Sequence, residues 1–527
     1  MRWRRRPTSR PCSEVAPDHE PARPTAADDA PPAPGGALPT WVAAGLTFLS
    51  SGAVLVLEIV GLRLIAPYVG VTVQTSTAVI GFALAAIAAG AWFGGATADR
   101  TDPRRLLAPL LVAGGALIIA VLPLVRFTGE ALSGADAGGV LLLAAVAVVV
   151  PAALLSAVPP MVVKLQLASL DETGSVVGRL SGIGTLGGIA ATFATGFVLV
   201  AILPSSVILV ATGGITVATG LAVALLLRRG GGRPVPAGLL VLAVAGGGLA
   251  AVAPTPCEAE TAYHCARVVA DPANDSGRVL LLDTLRHSYV DLEDPTHLEF
   301  QYVRAIAAVI DTVYPPGEPL SALHVGGGGV TLPRYLAEVR PGTESLVVEV
   351  DPGVVGMDRE QLGLRTSEEL RVRVADGRVG LAEEPGGRRD LVVGDAFGGL
   401  SVPWQLTTRE ALELVDRALA DDGVYAVNLI DHPPLSFVRA ELATMRAVFD
   451  HVLLLARAPV LAGEDGGNLV AVASQQPLPA QEIAAALTAR DLAWRVAEGE
   501  ELDRFTGDAA VLTDDFAPVD QLLNPYG

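Results

Sequence analysis

The chain has 527 residues, of which 51% are hydrophobic and only 18% are charged, and its formal net charge is −19. This length exceeds one ordinary hydrophobic core, so two or three domains are expected. Residues 1–254 carry 16 basic and 12 acidic side chains, whereas residues 255–527 carry 21 basic and 44 acidic side chains. An acidic C-terminal half excludes nucleic-acid binding, which requires a basic face. The high apolar fraction also excludes a wholly soluble protein.

Residues 1–40 are rich in Pro, Ala and Arg and lack periodic apolar positions, which predicts a disordered cytoplasmic tail rather than a signal peptide. Residues 41–254 predict a bundle of about seven membrane helices, because most of the apolar runs approach the roughly 20 residues that cross a bilayer. The runs lie at about 42–66, 75–97, 106–125, 138–163, 181–203, 206–227 and 237–253. The last run is short and rich in glycine, so six spans remain the alternative.

The basic residues alternate between loops. The N-terminal tail carries six arginines, the third loop has only Arg126, and the first and fifth loops have none. The second, fourth and sixth loops carry Arg100, Arg104, Arg105, Lys164, Arg179, Arg228, Arg229 and Arg233. Because positive loops stay in the cytoplasm, the N-terminus is expected inside. Seven spans would place residues 255–527 outside a cell membrane, and six would place them in the cytoplasm.

Two of the three cysteines lie directly after the last apolar run. Cys257 and Cys265 are eight residues apart, and Cys12 lies in the tail. A close pair in an otherwise cysteine-free domain predicts a disulfide, which persists only in an oxidising compartment. Two unpaired thiols are the alternative. No metal site is expected, since only His264 lies nearby as a third ligand.

Residues 255–527 predict an α/β domain. Residues 255–320 are short and β-rich, which indicates a small antiparallel meander followed by a helix at about 298–313. Residues 321–480 alternate strands with helices, which predicts a parallel, doubly wound Rossmann-type sheet. Residues 481–527 form a C-terminal extension. Strands are expected at 322–325, 345–350, 371–375, 391–394, 424–429, 451–455 and 468–473.

Candidate ligand-binding groups end the first four of these strands. A four-glycine turn, 326–329, follows the first strand, and glycines let a ligand approach the backbone before a helix N-terminus. Glu349, Asp376 and Asp395 end the next three strands, and ligands bind at the carboxyl ends of such strands. A carboxylate after the second strand suits ribose hydroxyls, and one after the third suits an adenine amino group. The alternative for each acid taken alone is that it is a solvated loop residue or a helix N-cap and binds no ligand.

These motifs resemble the spermidine synthase (polyamine aminopropyltransferase) family. The resemblance is carried by Ala322-Leu-His-Val-Gly-Gly-Gly-Gly, Leu346-Val-Val-Glu-Val-Asp, Val374-Ala-Asp-Gly and Asp390-Leu-Val-Val-Gly-Asp. The membrane half, including Glu58-Ile-Val-Gly-Leu-Arg63, is similar to the fused transporter/spermidine synthase type. The resemblance implies a multi-pass α-helical membrane bundle followed by a class I methyltransferase-like (Rossmann-type) α/β domain with a small β-hairpin subdomain.

The resemblance also implies roles for individual residues. It implies decarboxylated S-adenosylmethionine or a related nucleoside as co-substrate, with no tightly bound cofactor. Asp395 would accept a proton from the attacking amine, because an ammonium group has no lone pair. The residues implied to bind the nucleoside are Gly326, Gly327, Gly328, Glu349, Asp351, Asp376 and Gly377.

The sequence departs from the family pattern in the acceptor half of the site. Gly329 stands where the family usually has Asp, the second acid after Asp395 is replaced within Asp395-Ala-Phe-Gly398-Gly399, and His287 replaces a Gln. Either the acceptor differs or the transfer has been lost. Candidate acceptor residues are His287, His297, Phe397 and Trp404, with packing or capping of strand ends as the alternative.

Three function classes follow from these residues. The first is a membrane-bound transferase in polyamine biosynthesis, with a lipid bilayer, a nucleoside and an amine-type acceptor as partners, and with a homo-oligomer allowed. The second is a transporter or sensor whose α/β domain binds a ligand without turnover. The third is an S-adenosylmethionine-dependent methyltransferase. Glu58 lies inside the first span and Arg63 near its end, and ionisable groups at that depth are rare and often functional. The alternative is a structural pair that fixes helix packing.

Overall fold

The computed structural model describes residues 38–70, 73–132, 137–167, 172–228, 234–397 and 402–524. Residues 1–37 of the predicted tail, with Cys12, lie outside the described residues, as do Arg229, Arg233, Gly398 and Gly399. The last residue of the predicted tail, Thr40, begins the first helix.

An N-terminal helical bundle precedes two sheets. Its helices are α1 (Thr40–Val69), α2 (Val73–Arg100), α3 (Leu107–Ala131), α4 (Ala137–Ser156), α5 (Val158–Gln166), α6 (Thr173–Ala194), α7 (Val200–Ile202), α8 (Ser205–Leu227) and α9 (Ala237–Val252). Within the described ranges, six segments are long and apolar enough to cross a membrane, with α4–α5 and α6–α7 each counting as one.

The predicted seventh span is not supported. Helix α9 is apolar but has only 16 residues, and at 1.5 Å per residue it is shorter than the roughly 30 Å hydrocarbon core of a bilayer. It packs along α3, where the Arg126 guanidinium donates to the carbonyl of Ala250 at 3.0 Å. The bundle thus confirms the prediction of a multi-pass helical region, with six helices in the described residues that are long and apolar enough to cross a membrane.

Small residues bring the bundle helices close together. A Cβ atom on Gly187 of α6 would lie 2.3 Å from the carbonyl oxygen of Phe48 in α1, and one on Gly90 of α2 would lie 2.1 Å from that of Ala153 in α4. Helices that pack in lipid depend on such small residues, since their backbones must approach closely.

A four-stranded antiparallel sheet follows the bundle, as the short β-rich pattern predicts. Its order is β1-β2-β3-β4, with β1 (Ala259–Glu260), β2 (Cys265–Asp271), β3 (Asn274–Leu282) and β4 (Leu285–Asp291). Leu280, Leu282 and Val290 from this sheet form one apolar cluster with Val354 and Met357. The small sheet therefore packs against the larger α/β unit.

The larger unit is built on an eight-stranded sheet of order β12-β10-β11-β9-β8-β5-β6-β7. Its strands are β5 (Ser321–Val325), β6 (Glu344–Glu349), β7 (Leu370–Val374), β8 (Arg389–Gly394), β9 (Leu419–Asp431), β10 (His451–Arg457), β11 (Gly467–Ser474) and β12 (Trp494–Ala497). Strands β5 to β9 are parallel, which confirms the Rossmann-type core. Beyond β9 the sheet departs from the predicted parallel arrangement, because β9–β11, β11–β10 and β10–β12 pair antiparallel.

In the described part of this unit ten α-helices accompany the sheet, and apolar clusters cover both of its faces. They are α10 (Gln301–Val313), α11 (Thr331–Val339), α12 (Pro352–Glu360), α13 (Gly377–Glu383), α14 (Arg409–Ala418), α15 (Ser436–Arg446), α16 (Ala458–Leu461), α17 (Ala480–Ala489), α18 (Gly499–Thr506) and α19 (Val519–Leu522). Strand β12 shows that the predicted C-terminal extension completes the sheet. The domain boundaries at 320 and 480 stay predictions.

Candidate functional site

Two adjoining cavities open at the carboxyl ends of the parallel strands. The glycine-loop cavity has a volume of about 440 Å³ and is lined by Gly326, Gly328, Glu349, Asp376 and Gly377 together with Tyr263 and His264. The amide cavity has a volume of about 610 Å³ and is lined by Gln301, Asn428 and Asn468 together with Arg286, Glu299, Phe300, Tyr302 and Arg457. Both cavities are also lined by His287, Asp395 and Phe397. The two cavities therefore adjoin at these three shared side chains.

The glycine turn is held in a conformation that side chains do not tolerate. Gly326 has φ +99° and Gly328 has φ +46°. A Cβ atom on Gly326 would lie 2.2 Å from the carbonyl oxygen of Asp395, and one on Gly328 would lie 2.5 Å from the hydroxyl of Ser288. The turn therefore fits closely between β8 and the small sheet, and it leaves the backbone open to the glycine-loop cavity.

Glu349 is fixed by backbone donors on two sides. Gly327 N–H donates to Oε2 at 2.7 Å, and Asp351 N–H donates to Oε1 at 2.9 Å. A carboxylate so oriented retains lone pairs for hydroxyl donors of a ligand. Asp376 is exposed beside the same cavity, and its Oδ1 accepts from Val379 N–H at 3.1 Å as the N-cap of α13. Both acids predicted to bind the ribose and adenine therefore line one cavity.

Asp351 is buried and caps a helix, and its side chain does not line either of the two cavities. It is 1% exposed, and it caps α12 by accepting from Gly353 N–H at 2.8 Å. Its other oxygen accepts from the hydroxyl of Thr261. Asp351 does not belong to the set that lines either cavity in the described part of the chain. The structure thus separates it from Glu349 and Asp376, with which it was predicted to bind the nucleoside.

Asp395 lies at the junction of the two cavities and is held by two donors. The hydroxyl of Tyr302 donates to Oδ2 at 2.9 Å, and the side-chain amide of Asn428 donates to Oδ1 at 2.9 Å. Burial raises the pKa of Asp395 to about 6, although both hydrogen bonds act in the opposite direction. Burial also holds the pKa of Tyr302 well above its usual value, so its hydroxyl remains a donor. A carboxyl group with this pKa accepts protons effectively near neutral pH.

The amide cavity combines both signs of charge with hydrogen-bonding groups. Arg286 stacks over the ring of Phe300 with its guanidinium carbon 5.5 Å from the ring centroid. Arg457 pairs with Asp465 at 2.8 Å. Burial, followed by the nearby His264, lowers the pKa of His287 to about 4. This histidine is therefore neutral at physiological pH and offers one donor and one acceptor.

Two predicted acceptor residues lie outside both cavities. His297 is exposed, its ring is tilted against that of Tyr289, and it faces Glu299 at 3.4 Å. Trp404 is 44% exposed at the start of a short 3₁₀ turn. Sequence reasoning also missed Tyr302 and Asn428, the two donors to Asp395. Asn428 carried a usable signal, because it is a polar residue inside the apolar strand β9.

Comparisons with known proteins agree with this architecture. The chain is 30% identical over 252 residues to a polyamine aminopropyltransferase of Vibrio vulnificus, an alignment that covers 44% of this chain and 79% of the relative. It is 29% identical over 142 residues to the human eEF1A lysine and N-terminal methyltransferase, covering 25% of this chain and 20% of that protein. No family model matches the chain.

A solved structure of a probable spermidine synthase from Corynebacterium glutamicum is also similar, at 29% identity with a TM-score of 0.46, covering 49% of this chain and 95% of that one. The aligned relatives are transferases. The alignment with the Vibrio protein spans more than two thirds of that relative. The chain therefore belongs to the polyamine aminopropyltransferase (spermidine synthase-like) family, and it joins that domain to an N-terminal bundle of apolar helices.

Proposed function

We propose that this protein transfers an aminopropyl group from decarboxylated S-adenosylmethionine, or a related nucleoside, to an amine acceptor. The observation that carries the proposal is Asp395, a carboxyl group with a raised pKa that lies where the glycine-loop cavity meets the amide cavity. The glycine-loop cavity supplies Glu349 and Asp376 for the ribose and the adenine. The amide cavity holds the acceptor.

The reaction needs one proton acceptor at this junction. The amine first loses a proton to Asp395, because only the neutral amine has a lone pair. Its nitrogen then attacks the carbon next to the sulfonium. A nitrogen–carbon bond forms as the carbon–sulfur bond breaks, and the bonding electrons return to sulfur. The products are the alkylated amine and the thioether nucleoside 5′-methylthioadenosine, with the proton on Asp395.

Calorimetry of the purified full-length protein with 5′-methylthioadenosine tests the nucleoside site. We expect binding by the wild type, and weaker binding after Glu349→Ala, because the aligned carboxylate is lost. Mass spectrometry of putrescine incubated with decarboxylated S-adenosylmethionine then tests transfer. The absence of both nucleoside binding and transfer product would overturn the proposal. Binding without product would confine it to the nucleoside site and require another amine acceptor.

We further propose that the C-terminal domain lies on the extracytoplasmic side of a cell membrane. The domain contacts the bundle through Arg63, Arg126 and Ser206, which lie near the ends of α1 and α3 and at the start of α8. The basic residues that are expected in the cytoplasm, including Arg100 and Lys164, lie at the opposite helix ends. Because six long helices return the chain to the side of its N-terminus, this placement requires the 16-residue helix α9 to cross as well.

That placement supports a second candidate function, a sensor or transporter that binds its ligand without turnover, because S-adenosyl compounds are cytosolic. The third class, a methyltransferase, is supported by the alignment with a protein methyltransferase. Incubation with S-adenosylmethionine in place of the decarboxylated compound separates them: a methylated acceptor supports the methyltransferase, and binding without any product supports the sensor.

A further inference from the structure

A short disulfide-closed hairpin connects the bundle to the glycine-loop cavity. We call residues Cys257–Cys265 the disulfide loop, because the two cysteines are bonded at an S–S distance of 2.12 Å. Within it, Glu260 pairs antiparallel with Cys265, and Thr261 N–H donates to the carbonyl of His264 at 2.9 Å. Covalent and hydrogen-bond closure together make this loop a compact unit.

Three bundle helices hold one side of the disulfide loop. Arg63 of α1 donates to the carbonyl oxygens of Thr261 and Ala262 at 2.7 and 2.5 Å, and its Nε donates to the Ser205 hydroxyl of α8 at 3.2 Å. Glu260 accepts from the backbone N–H of Ser206 in α8 at 3.1 Å. The same carboxylate lies 3.6 Å from the guanidinium of Arg126 in α3. Both partners of this ion pair are largely buried, so their geometry is tightly specified.

The other side of the disulfide loop reaches the glycine-loop cavity. The hydroxyl of Thr261 donates to Asp351, whose backbone N–H donates to Glu349 at 2.9 Å. Tyr263 and His264 line the cavity directly. Burial, followed by the charges of Asp351, Asp376 and Glu349, raises the pKa of Tyr263. One segment of three residues, Thr261–Tyr263, therefore touches both the membrane-side arginine and the wall of the cavity.

We propose that Arg63 is a positioning residue for nucleoside binding, acting from the bundle through the disulfide loop on Glu349. This inference rests on the proposed function. Arg63 fixes the carbonyl groups of Thr261 and Ala262, which orients the Thr261 hydroxyl towards Asp351. Asp351 in turn aligns the carboxylate of Glu349. The bundle thereby becomes part of the nucleoside site without touching the nucleoside.

A double-mutant cycle on the full-length protein tests this chain of contacts. The substitutions are Arg63→Gln, Thr261→Val and their combination, and the readout is the Kd for 5′-methylthioadenosine by calorimetry. Each single change is expected to weaken binding roughly tenfold, the scale of lost hydrogen bonds to charged groups. Because both act through one path, the double variant is expected to bind no more weakly than the worse single variant.

Arg179→Gln is the matched control, because Arg179 is an exposed bundle arginine on α6, far from the disulfide loop. It is expected to bind like the wild type. Wild-type affinity in Arg63→Gln, or independent losses that multiply in the double variant, would overturn the inference. If Arg63→Gln does not fold, wild-type affinity in Thr261→Val alone would overturn it. Absence of binding by the wild type would overturn the proposed function and this inference together.

Discussion

The protonation state of Asp395 sets the expected pH dependence of the reaction. Burial raises its pKa to about 6, and only the carboxylate accepts a proton from the amine. We therefore expect kcat/KM to fall as the pH drops through about 6 and to level off above 7. His287 does not cause this fall in kcat/KM, because burial lowers its pKa to about 4. A pH profile of initial rates measures the effect.

Replacing the carboxyl group separates catalysis from binding. Asp395→Asn removes the proton acceptor and is expected to lower kcat by roughly 100-fold or more, the usual scale for a general base. The nucleoside Kd should stay within a few-fold of the wild type, because Glu349 and Asp376 are untouched. Since a buried carboxylate with a raised pKa destabilises the fold above that pKa, Asn at this position should also raise Tm at pH 8. An undiminished rate would exclude Asp395 as the base.

The glycine turn gives a prediction about stability. Gly326→Ala places a Cβ 2.2 Å from a backbone oxygen at φ +99°, which we expect to cost about 2 kcal/mol or more. Thermal unfolding should show a lower Tm, and nucleoside binding should weaken. Gly356→Ala in α12 is the control: its Cβ meets open space, and helix propensity favours Ala by about 1 kcal/mol. Equal Tm values for the two variants would contradict the role of the turn.

Single residues were predictable where the topology determines their position. Glu349, Asp376 and Asp395 end successive parallel strands, so the sequence pattern alone brings them to one edge. Asp351 ends the same segment as Glu349, and a sequence does not tell a ligand-binding acid from an N-cap there. Tyr302 reaches Asp395 from a helix 93 positions away in the chain. No local pattern encodes such a contact.

At the level of elements, the disulfide loop gives a direct chemical prediction. Protein purified without reductant, denatured and treated with iodoacetamide should be alkylated at Cys12 alone, and at all three cysteines after reduction. The mass difference between the two samples measures this. Alkylation of three cysteines before reduction would contradict the disulfide that the structure places between Cys257 and Cys265.

The sequence predicted the existence of most elements and missed the direction of some strands. The apolar runs at 451–455 and 468–473 form β10 and β11 as expected, but both directions bury the same side chains, so the pattern is silent on orientation. The long bundle helices were predictable because their apolar runs exceed what a soluble helix needs. The run at 237–253 failed as a span on length, since its helix ends at Val252 after 16 residues.

At the scale of the whole molecule, the placement of the C-terminal domain is open to labelling. In a Cys12→Ser background, Asp508→Cys adds an exposed thiol to the domain and Asp99→Cys adds one at the basic end of the bundle. We expect a membrane-impermeant maleimide to label Asp508→Cys in intact spheroplasts and Asp99→Cys only after lysis. The reverse pattern would place the domain in the cytoplasm.

The disulfide loop also has a consequence in the opposite direction. Thermodynamic linkage is reciprocal: if the bundle changes nucleoside affinity by some factor, the nucleoside changes the bundle equilibrium by the same factor. Ligand binding beside Glu349 would then change the conformational equilibrium at the ends of α1, α3 and α8. There Arg63, Arg126 and Ser206 contact the disulfide loop. In such a protein, nucleoside binding in the α/β domain shifts the conformational equilibrium of the bundle helices. One protein could then act both as a transferase and as a sensor of its own ligand.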